Sequence, residues 1–173
     1  MPVLRRLLLL TPALTLAARH ALAQGGTHDH AAATPAAASQ GRAKAPRDAY
    51  VYIGWPQDGQ VINGTRFKVW FGTRNFGVAP AGVATPNTGH HHLLVDTPMP
   101  PLDQPIPNDR NHLHFGLGQT ETMLELPPGT HTLQLVMGDA DHVPHDPPVT
   151  SRRITIQVRP GRAVPPPPPA PPQ

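Results

Sequence analysis

Apolar and polar residues alternate in several short runs between residues 50 and 158. In residues 66–71, Phe67 and Val69 fall on one face of a strand and Lys68 and Trp70 on the other. The same two-residue period returns at three later places, and Gly, Pro and Asn mark turns between the runs. No stretch of ten or more residues in this region has helical spacing. The pattern predicts an all-β fold, an immunoglobulin-like β-sandwich of about seven strands.

The start of the chain has a different composition. Residues 1–23 are typical of a secretory signal, with Arg5 and Arg6 before an apolar run over residues 7–16 and the small-x-small sequence Ala-Leu-Ala at residues 21–23. That run is too short to cross a bilayer, and no later one approaches the ~20 residues that a spanning helix needs. We therefore expect a periplasmic or secreted protein with no membrane span.

Two further segments flank the domain. Residues 24–48 are rich in Ala, Gly, Ser, Thr and Pro and hold few bulky apolar side chains, so burial cannot offset their ordering entropy. They are predicted to be a disordered linker, and the proline-rich residues 159–173 a disordered tail of polyproline II type. The domain itself then covers residues 49–158, a length that suits a single hydrophobic core. Because the chain has no cysteine, that core forms without disulfides.

Charge argues against nucleic acid as a partner. The chain has 14 Lys+Arg and 11 Asp+Glu, but Arg5, Arg6 and Arg19 lie in the predicted signal, which carries no acidic residue. Without it the two counts are equal at 11 each. Residues 49–158 contain six basic and nine acidic residues, so the domain is mildly acidic. No basic stripe or aromatic platform marks a nucleic-acid surface.

Histidines are concentrated in one part of the domain, with eight of the eleven between residues 90 and 145. His90 and His92 lie in a strand pattern that ends in Leu-Leu-Val, and they share one face at a spacing of roughly 6.5 Å. A second His-x-His pair, His112 and His114, follows a proline-rich loop over residues 97–111. Such clustering indicates either a metal site or a structural network.

The metal hypothesis follows from the available ligands. Imidazole suits Zn, Cu, Fe and Ni, whereas Ca and Mg prefer oxygen. Two His-x-His pairs on neighbouring strands would supply three or four nitrogens at ~2.0–2.1 Å from one ion, and Asp96 or Asp146 could orient an imidazole by a hydrogen bond. We therefore predict a copper or zinc site. Its candidate ligands are His90, His92, His112, His114, His142 and His145.

A structural hydrogen-bond network is the alternative explanation for part of this set. His131 follows a Leu-Pro-Pro-Gly turn at residues 126–129, where immunoglobulin-like sandwiches often carry a tyrosine that bonds back to the backbone. Like His91, His131 shares a strand face with apolar residues. We interpret both as core or corner histidines.

Several motifs stand in a fixed order along the domain. They are Gly89-His90-His91-His92-Leu93-Leu94, His112-Leu113-His114-Phe115-Gly116, Gly118-Gln119-Thr120-Glu121, Leu126-Pro127-Pro128-Gly129-Thr130-His131-Thr132-Leu133 and His142-Val143-Pro144-His145. This series resembles a bacterial family known as domain of unknown function 4399, over roughly residues 50–158. The resemblance implies an exported immunoglobulin-like domain. It brings no established activity and assigns no catalytic residue.

An enzymatic role has the weakest support. The His-x-His and Pro-x-Gly-x-His sequences resemble those of cupin barrels, but the acidic ligand would have to be Asp96 and the spacing around the first glycine differs. No nucleophile elbow, His-Glu-x-x-His helix or phosphate loop is present. We predict an exported, non-catalytic module that binds a metal ion. An adhesion or assembly module with an envelope protein partner and a cupin-like metal-dependent enzyme are the alternatives.

Overall fold

The computed structural model describes residues 41–161. The predicted signal over residues 1–23, most of the predicted linker and residues 162–173 of the predicted tail lie outside the described residues. The last part of that linker is described, and it contacts the domain: the Lys44 ammonium lies 2.6 Å from the Asp146 carboxylate, and Ala45 N–H donates to the Asp146 carbonyl. Over residues 41–161 no helix has the length and apolar character to cross a membrane.

Residues 41–161 contain nine β-strands and no helix, which confirms the predicted all-β sandwich. Two of them, of three and two residues, bring the count above the predicted seven, and the shorter one falls in a segment that glycine, proline and alanine mark as a loop. The strands are β1 (Tyr50–Trp55), β2 (Val61–Asn63), β3 (Arg66–Arg74), β4 (Gly77–Val78), β5 (Thr88–Val95), β6 (His112–Phe115), β7 (Glu121–Glu125), β8 (Gly129–Gly138) and β9 (Ile154–Arg159).

The strands form two sheets. One has three strands in the order β1-β3-β7, and the other has six, in the order β2-β9-β8-β5-β4 with β6 paired to the same edge of β5 as β4. The core lies between them and is built from the apolar face that alternation predicts on each strand. Its most deeply buried members include Val51, Val69, Phe71, Leu93, Leu133, Leu135, Ile156 and Val158.

Strand β5 is buried on both faces. Its core face packs into the sandwich, while its outer face lies under the loops of the six-stranded sheet. There Leu94, Val136 and Ile106 form a second apolar cluster, with Met99 packed against it. Ile106 and Met99 come from the proline-rich loop 97–111, which therefore acts as a cover. Because β5 is a central strand that is covered on both faces, its sequence is a continuous run of large residues instead of an alternating one.

His131 occupies the corner that the turn sequence predicts. Its Nδ1–H donates to Asp96 Oδ2 at 2.6 Å and its Nε2–H donates to the Pro127 carbonyl at 2.9 Å. Because both partners are acceptors, the ring carries both protons and is a cation. Burial acts to lower the pKa of His131, but the bonds to Asp96 and Pro127 and the charge of Asp96 outweigh it, so the pKa is raised.

We expect His131→Ala to lower the free energy of unfolding by about 2 kcal/mol at pH 6, because the Asp96 carboxylate and the Pro127 carbonyl lose their donor. A raised pKa contributes stability that is complete below the unfolded value near 6.5 and is lost as the pH rises through the folded value. The difference between the two proteins should therefore shrink from pH 6 to pH 9. Urea unfolding with a chelator present measures it, and a difference that is independent of pH would contradict the charged corner.

Candidate functional site

The three consecutive histidines of β5 point to different faces of the six-stranded sheet. His91 lies on the core face, where its Nδ1–H donates to the Gln119 carbonyl at 3.1 Å. Its ring packs against the Phe71 ring, with the two centroids 4.7 Å apart. His90 and His92 lie on the outer face, and both are fully buried. His91 is thus structural, as its apolar neighbours predict, and the outer face holds the candidate site.

Strand β6 adds a third imidazole to that face. β5 and β6 are antiparallel, and their register places His114 directly opposite His92. Residues opposite each other in such a pair project to the same side, so the two rings meet, with centroids 5.0 Å apart. The predicted convergence of two His-x-His segments on neighbouring strands is confirmed for this pair.

The fourth imidazole comes from the loop that follows β8. Asp139 Oδ1 accepts hydrogen bonds from Asp141 N–H and Val143 N–H, both at 2.9 Å, and the Asp139 carbonyl accepts one from His142 N–H at 3.0 Å. This turn holds His142 in the left-handed region, with φ of 69°, a conformation that side chains other than glycine seldom adopt. The turn brings the His142 ring within 4.8 Å of the His90 and His114 rings.

Four imidazoles therefore surround one point on the outer face. All six distances between their ring centroids lie between 4.8 and 5.9 Å. One ring nitrogen from each of His90, His114 and His142 lies within 4.8 Å of the other two. Four imidazoles bound tetrahedrally at ~2.0–2.1 Å would have their centroids about 5 Å apart. We call these four residues, His90, His92, His114 and His142, the histidine cluster.

Two glycines provide the space for the histidine cluster. A Cβ placed on Gly116 would collide with the His114 imidazole, and one on Gly138 would lie 3.0 Å from His92 Nε2. Gly138 is also the residue opposite His90 in the register of β5 and β8. These positions were not singled out from the sequence, although a glycine two residues after His114 was visible in the motif.

Several ring nitrogens of the cluster have no hydrogen-bond partner among the described residues. They are His90 Nδ1, His92 Nδ1 and His114 Nε2, and all three are buried. Within the cluster, His90 Nε2 and His92 Nε2 lie 3.0 Å apart, and one donates to the other. Buried polar atoms are nearly always paired, since leaving one unpaired costs about 1–3 kcal/mol. In His90 and His92 the unpaired nitrogen is Nδ1, whereas the nitrogens that face each other are the Nε2 atoms, and His91 Nε2, outside the cluster, is buried without a partner as well.

His90 and His92 are uncharged at neutral pH. Burial, together with the positive charges that neighbouring histidines would carry, lowers the pKa of His90 to about 4 and that of His92 to about 2. Burial and His142 likewise lower the pKa of His114. Lone pairs on neutral imidazoles are available to an electrophile, and a metal cation is the kind of group that several of them can share.

His112 and His145 are not brought into the cluster. His112 is opposite Leu94, one pair further along the same face, and its Nδ1–H donates to Asp109 Oδ1 at 2.9 Å. The His145 ring contacts the edge of Phe76, a core residue, and its Nε2 lies 3.1 Å from the Thr88 carbonyl. The two residues between His142 and His145 are thus enough to place His145 outside the site.

The two carboxylates expected to orient an imidazole have other partners. Asp96 bonds to His131 and accepts from Thr132 N–H at 2.7 Å, so the histidine that it orients is the corner residue. Asp146 pairs with Lys44, 2.6 Å away, and with Arg42, 3.8 Å away. The carboxylate that shapes the histidine cluster is Asp139, and it acts through backbone N–H groups that sequence spacing does not reveal.

Comparison with known proteins gives a family and a likeness to solved structures. A family model described as "Domain of unknown function (DUF4399)" matches residues 69–159, which include the whole histidine cluster. No curated protein matches the sequence. Among solved structures, the fibronectin(III)-like modules of Clostridium thermocellum CbhA are similar, with 15% identity and a TM-score of 0.35 over 65% of this chain and 99% of that chain.

The lowered pKa values predict an acid-sensitive fold in the absence of metal. Burial also lowers the pKa of His91 to about 4, so unfolding below pH 6.5 lets His90, His91 and His92 take up protons that the folded state excludes. Stability should fall as the pH drops from 6.5 to 4, by up to about 1.4 kcal/mol per pH unit for each histidine. Urea unfolding of chelator-treated protein at intervals across this range measures the slope.

His91→Phe is the matched variant, because it keeps an aromatic ring against Phe71 and removes one titrating group. Its stability should fall less steeply with acid than that of the unmodified chain. Parallel profiles for the two proteins would show that His91 does not carry the predicted share.

Proposed function

This chain belongs to the family described as "Domain of unknown function (DUF4399)", and we propose that it is an exported, non-catalytic protein that binds copper or zinc through its histidine cluster. The family description assigns no activity, so the proposal depends on the cluster itself. His90, His92, His114 and His142 are the proposed ligands. The signal-like sequence at residues 1–23 supports export to the periplasm or beyond.

The observation that carries the proposal is the spacing of the four imidazoles. Their centroids lie 4.8–5.9 Å apart, and one ring nitrogen from each of His90, His114 and His142 lies within 4.8 Å of the other two. His114 Nε2 is buried and lacks a hydrogen-bond partner in the described residues. An ion at the centre would satisfy the nitrogens that turn toward it. The 3.0 Å between His90 Nε2 and His92 Nε2 is close to the ~3.3 Å expected of two nitrogens on one tetrahedral ion.

The donor set selects the class of metal. Imidazole ligands without thiolate or carboxylate suit Cu(II), Zn(II) and Ni(II), and copper binds tightest in the general order of affinities. Hard cations such as Ca²⁺ and Mg²⁺ lack the oxygen ligands that they require. We therefore propose copper or zinc as the bound ion.

The surroundings favour binding over catalysis. His90 and His92 are fully buried, and His114 and His142 are partly covered, so the centre is enclosed on most sides. The open two-sheet sandwich also differs from the closed barrel that a cupin-like enzyme requires. A purely structural network is the role that an adhesion module would give these histidines. Structural histidines of this domain differ in how far they are paired, since His131 bonds through both ring nitrogens whereas His91 Nε2 is buried without a partner among the described residues. The metal proposal therefore depends on the convergence of four rings on one point.

Metal titration of a matched pair of variants tests the proposal. His142→Asn removes one ligand while keeping a residue type that tolerates positive φ, and His112→Asn makes the same change on the same face outside the cluster. His28 and His30 are replaced by Gln in all proteins, so that the N-terminal region offers no competing imidazoles. Excess Cu(II) or Zn(II) at 100 times Kd should raise the Tm of the parent by about 10 °C.

His142→Asn should weaken metal binding at least about tenfold, or about 1.4 kcal/mol, as calorimetry measures it. His112→Asn should bind as the parent does. Elemental analysis of protein purified without a metal column should find close to one ion per chain. Equal affinities for the two variants, or a Tm that neither metal changes, would contradict the proposal.

A further inference from the structure

The outer face of the three-stranded sheet carries a group of exposed large side chains. Tyr50, Tyr52, Trp70 and Met123 expose 39–48% of their surface, on strands β1, β3 and β7. We call these four residues the aromatic face. It lies on the sheet that does not contain the histidine cluster, so the proposed metal site does not explain it. Contiguous exposed apolar side chains on a folded domain mark a surface that is covered by something else.

Two glycines shape this face. A Cβ on Gly54 would collide with the Trp70 indole, and one on Gly72 would lie 2.7 Å from the Tyr52 hydroxyl. Each ring therefore contacts the backbone of a glycine. The ring centroids of Tyr52 and Trp70 are 6.3 Å apart and the ring planes are nearly perpendicular, at 80°, so the two rings form an L-shaped apolar surface. An angle of this kind receives a compact, ridged apolar group better than a flat one.

The chain leaves the described region beside the strand that carries Trp70. Gly64 N–H donates to the Arg159 carbonyl at 3.0 Å, and a Cβ on Gly161 would lie 3.7 Å from Gly64 Cα. Gly64 lies two residues before the start of β3, whose outer face presents Lys68 and then Trp70. The residues that follow Gly161 therefore start at the end of the sandwich from which β3 leads to the aromatic face.

The length of the remaining chain matches the distance. Trp70 lies six residues beyond Gly64, which is about 20 Å at ~3.3 Å per residue in a strand. Pro167 lies six residues beyond Gly161, which is about 19 Å at ~3.1 Å per residue in a polyproline II helix. Pro167 is the middle residue of the five consecutive prolines at residues 165–169, so a polyproline II tail that ran beside β3 would reach the level of Trp70.

The charges of the tail and of the outer face also favour a tail that runs along β3. Arg162 is the first residue of the tail, and Glu125 is exposed on the outer face close to where β3 begins, opposite Arg66 in the register. The other acid on this face, Glu121, pairs with Lys68 at 2.9 Å, whereas Glu125 forms no ion pair within residues 41–161. Glu125 is thus available to a cation that arrives from Gly161.

We propose that the aromatic face is the docking site of the chain's own proline-rich tail, residues 162–173. A polyproline II segment has no internal hydrogen bonds and presents apolar ridges with free carbonyls, and aromatic-lined surfaces recognise it. Proline rings pack against Tyr52 and Trp70, while the tyrosine hydroxyls and the indole N–H are donors for the carbonyls. Fixed φ angles keep the ordering cost of the tail low, and the short tether gives it an effective concentration in the millimolar range.

The two tryptophans of the chain allow a test with an internal control. Trp70 belongs to the aromatic face, whereas Trp55 packs against Phe67 in the core, and the chain has no other tryptophan. In ¹⁵N-labelled full-length chain, replacing all five prolines of residues 165–169 by serine should shift the indole N–H resonance of Trp70. The change should also increase its broadening by a soluble paramagnetic agent. The Trp55 resonance should stay in place.

Leu117→Ser is the control for a surface change elsewhere, since Leu117 is 83% exposed, and it should move neither resonance. An unchanged Trp70 resonance in the proline-to-serine chain would overturn the proposal. A Trp70 shift that depends on protein concentration would identify a second copy as the occupant and overturn docking within one chain. A response to N-acetylglucosamine oligosaccharides without any effect of the prolines would assign the face to a glycan instead.

Discussion

Burial of strand β5 on both faces is the constraint on which the rest of the structure depends. His90, His91 and His92 are fully buried although they point in alternate directions, because the sandwich covers one face and loops cover the other. Each ring must therefore stay neutral and find partners within the protein. On the core face His91 has a carbonyl and an aromatic ring. On the outer face the nearest partners of the imidazoles are other imidazoles, and each neutral ring has one N–H to donate and one lone pair to share.

Position decides the chemistry of histidine in this domain. His131 lies between a carboxylate and a carbonyl, so it is held as a cation with both nitrogens satisfied. His90 and His92 lie among neutral bases, so burial holds them uncharged with nitrogens to spare. The two environments are on the same sheet, and they make opposite contributions to stability as the pH changes. The corner stabilises the turn without a ligand, whereas we propose that a metal ion accepts the lone pairs of the cluster.

Much of the site could be predicted from local patterns, and the part that could not depends on loop geometry. Alternation placed His90 and His92 on one face and His91 on the other, and the Leu-Pro-Pro-Gly turn identified His131 as a corner. Spacing could not separate His142 from His145, because the choice depends on the turn around Asp139 and on the positive φ of His142. Nor could it separate His112 from His114, since only the register of β5 and β6 shows that His114 is opposite His92.

The outer faces of the two sheets have been closed in different ways, and this difference links the fold to its proposed roles. The six-stranded sheet is covered by its own loops, which keep water from the imidazoles. This cover requires a strained backbone at His142, and it requires glycine at Gly116 and Gly138, where a side chain would contact the histidine rings. The three-stranded sheet has no loop over Trp70 and Tyr52 within residues 41–161, and both rings stay exposed although glycines beneath them fix their positions. A face that is ordered and left open needs a cover from outside the sandwich. We propose that the proline-rich tail is that cover, because its sequence is long enough to reach Trp70 and proline restricts its backbone.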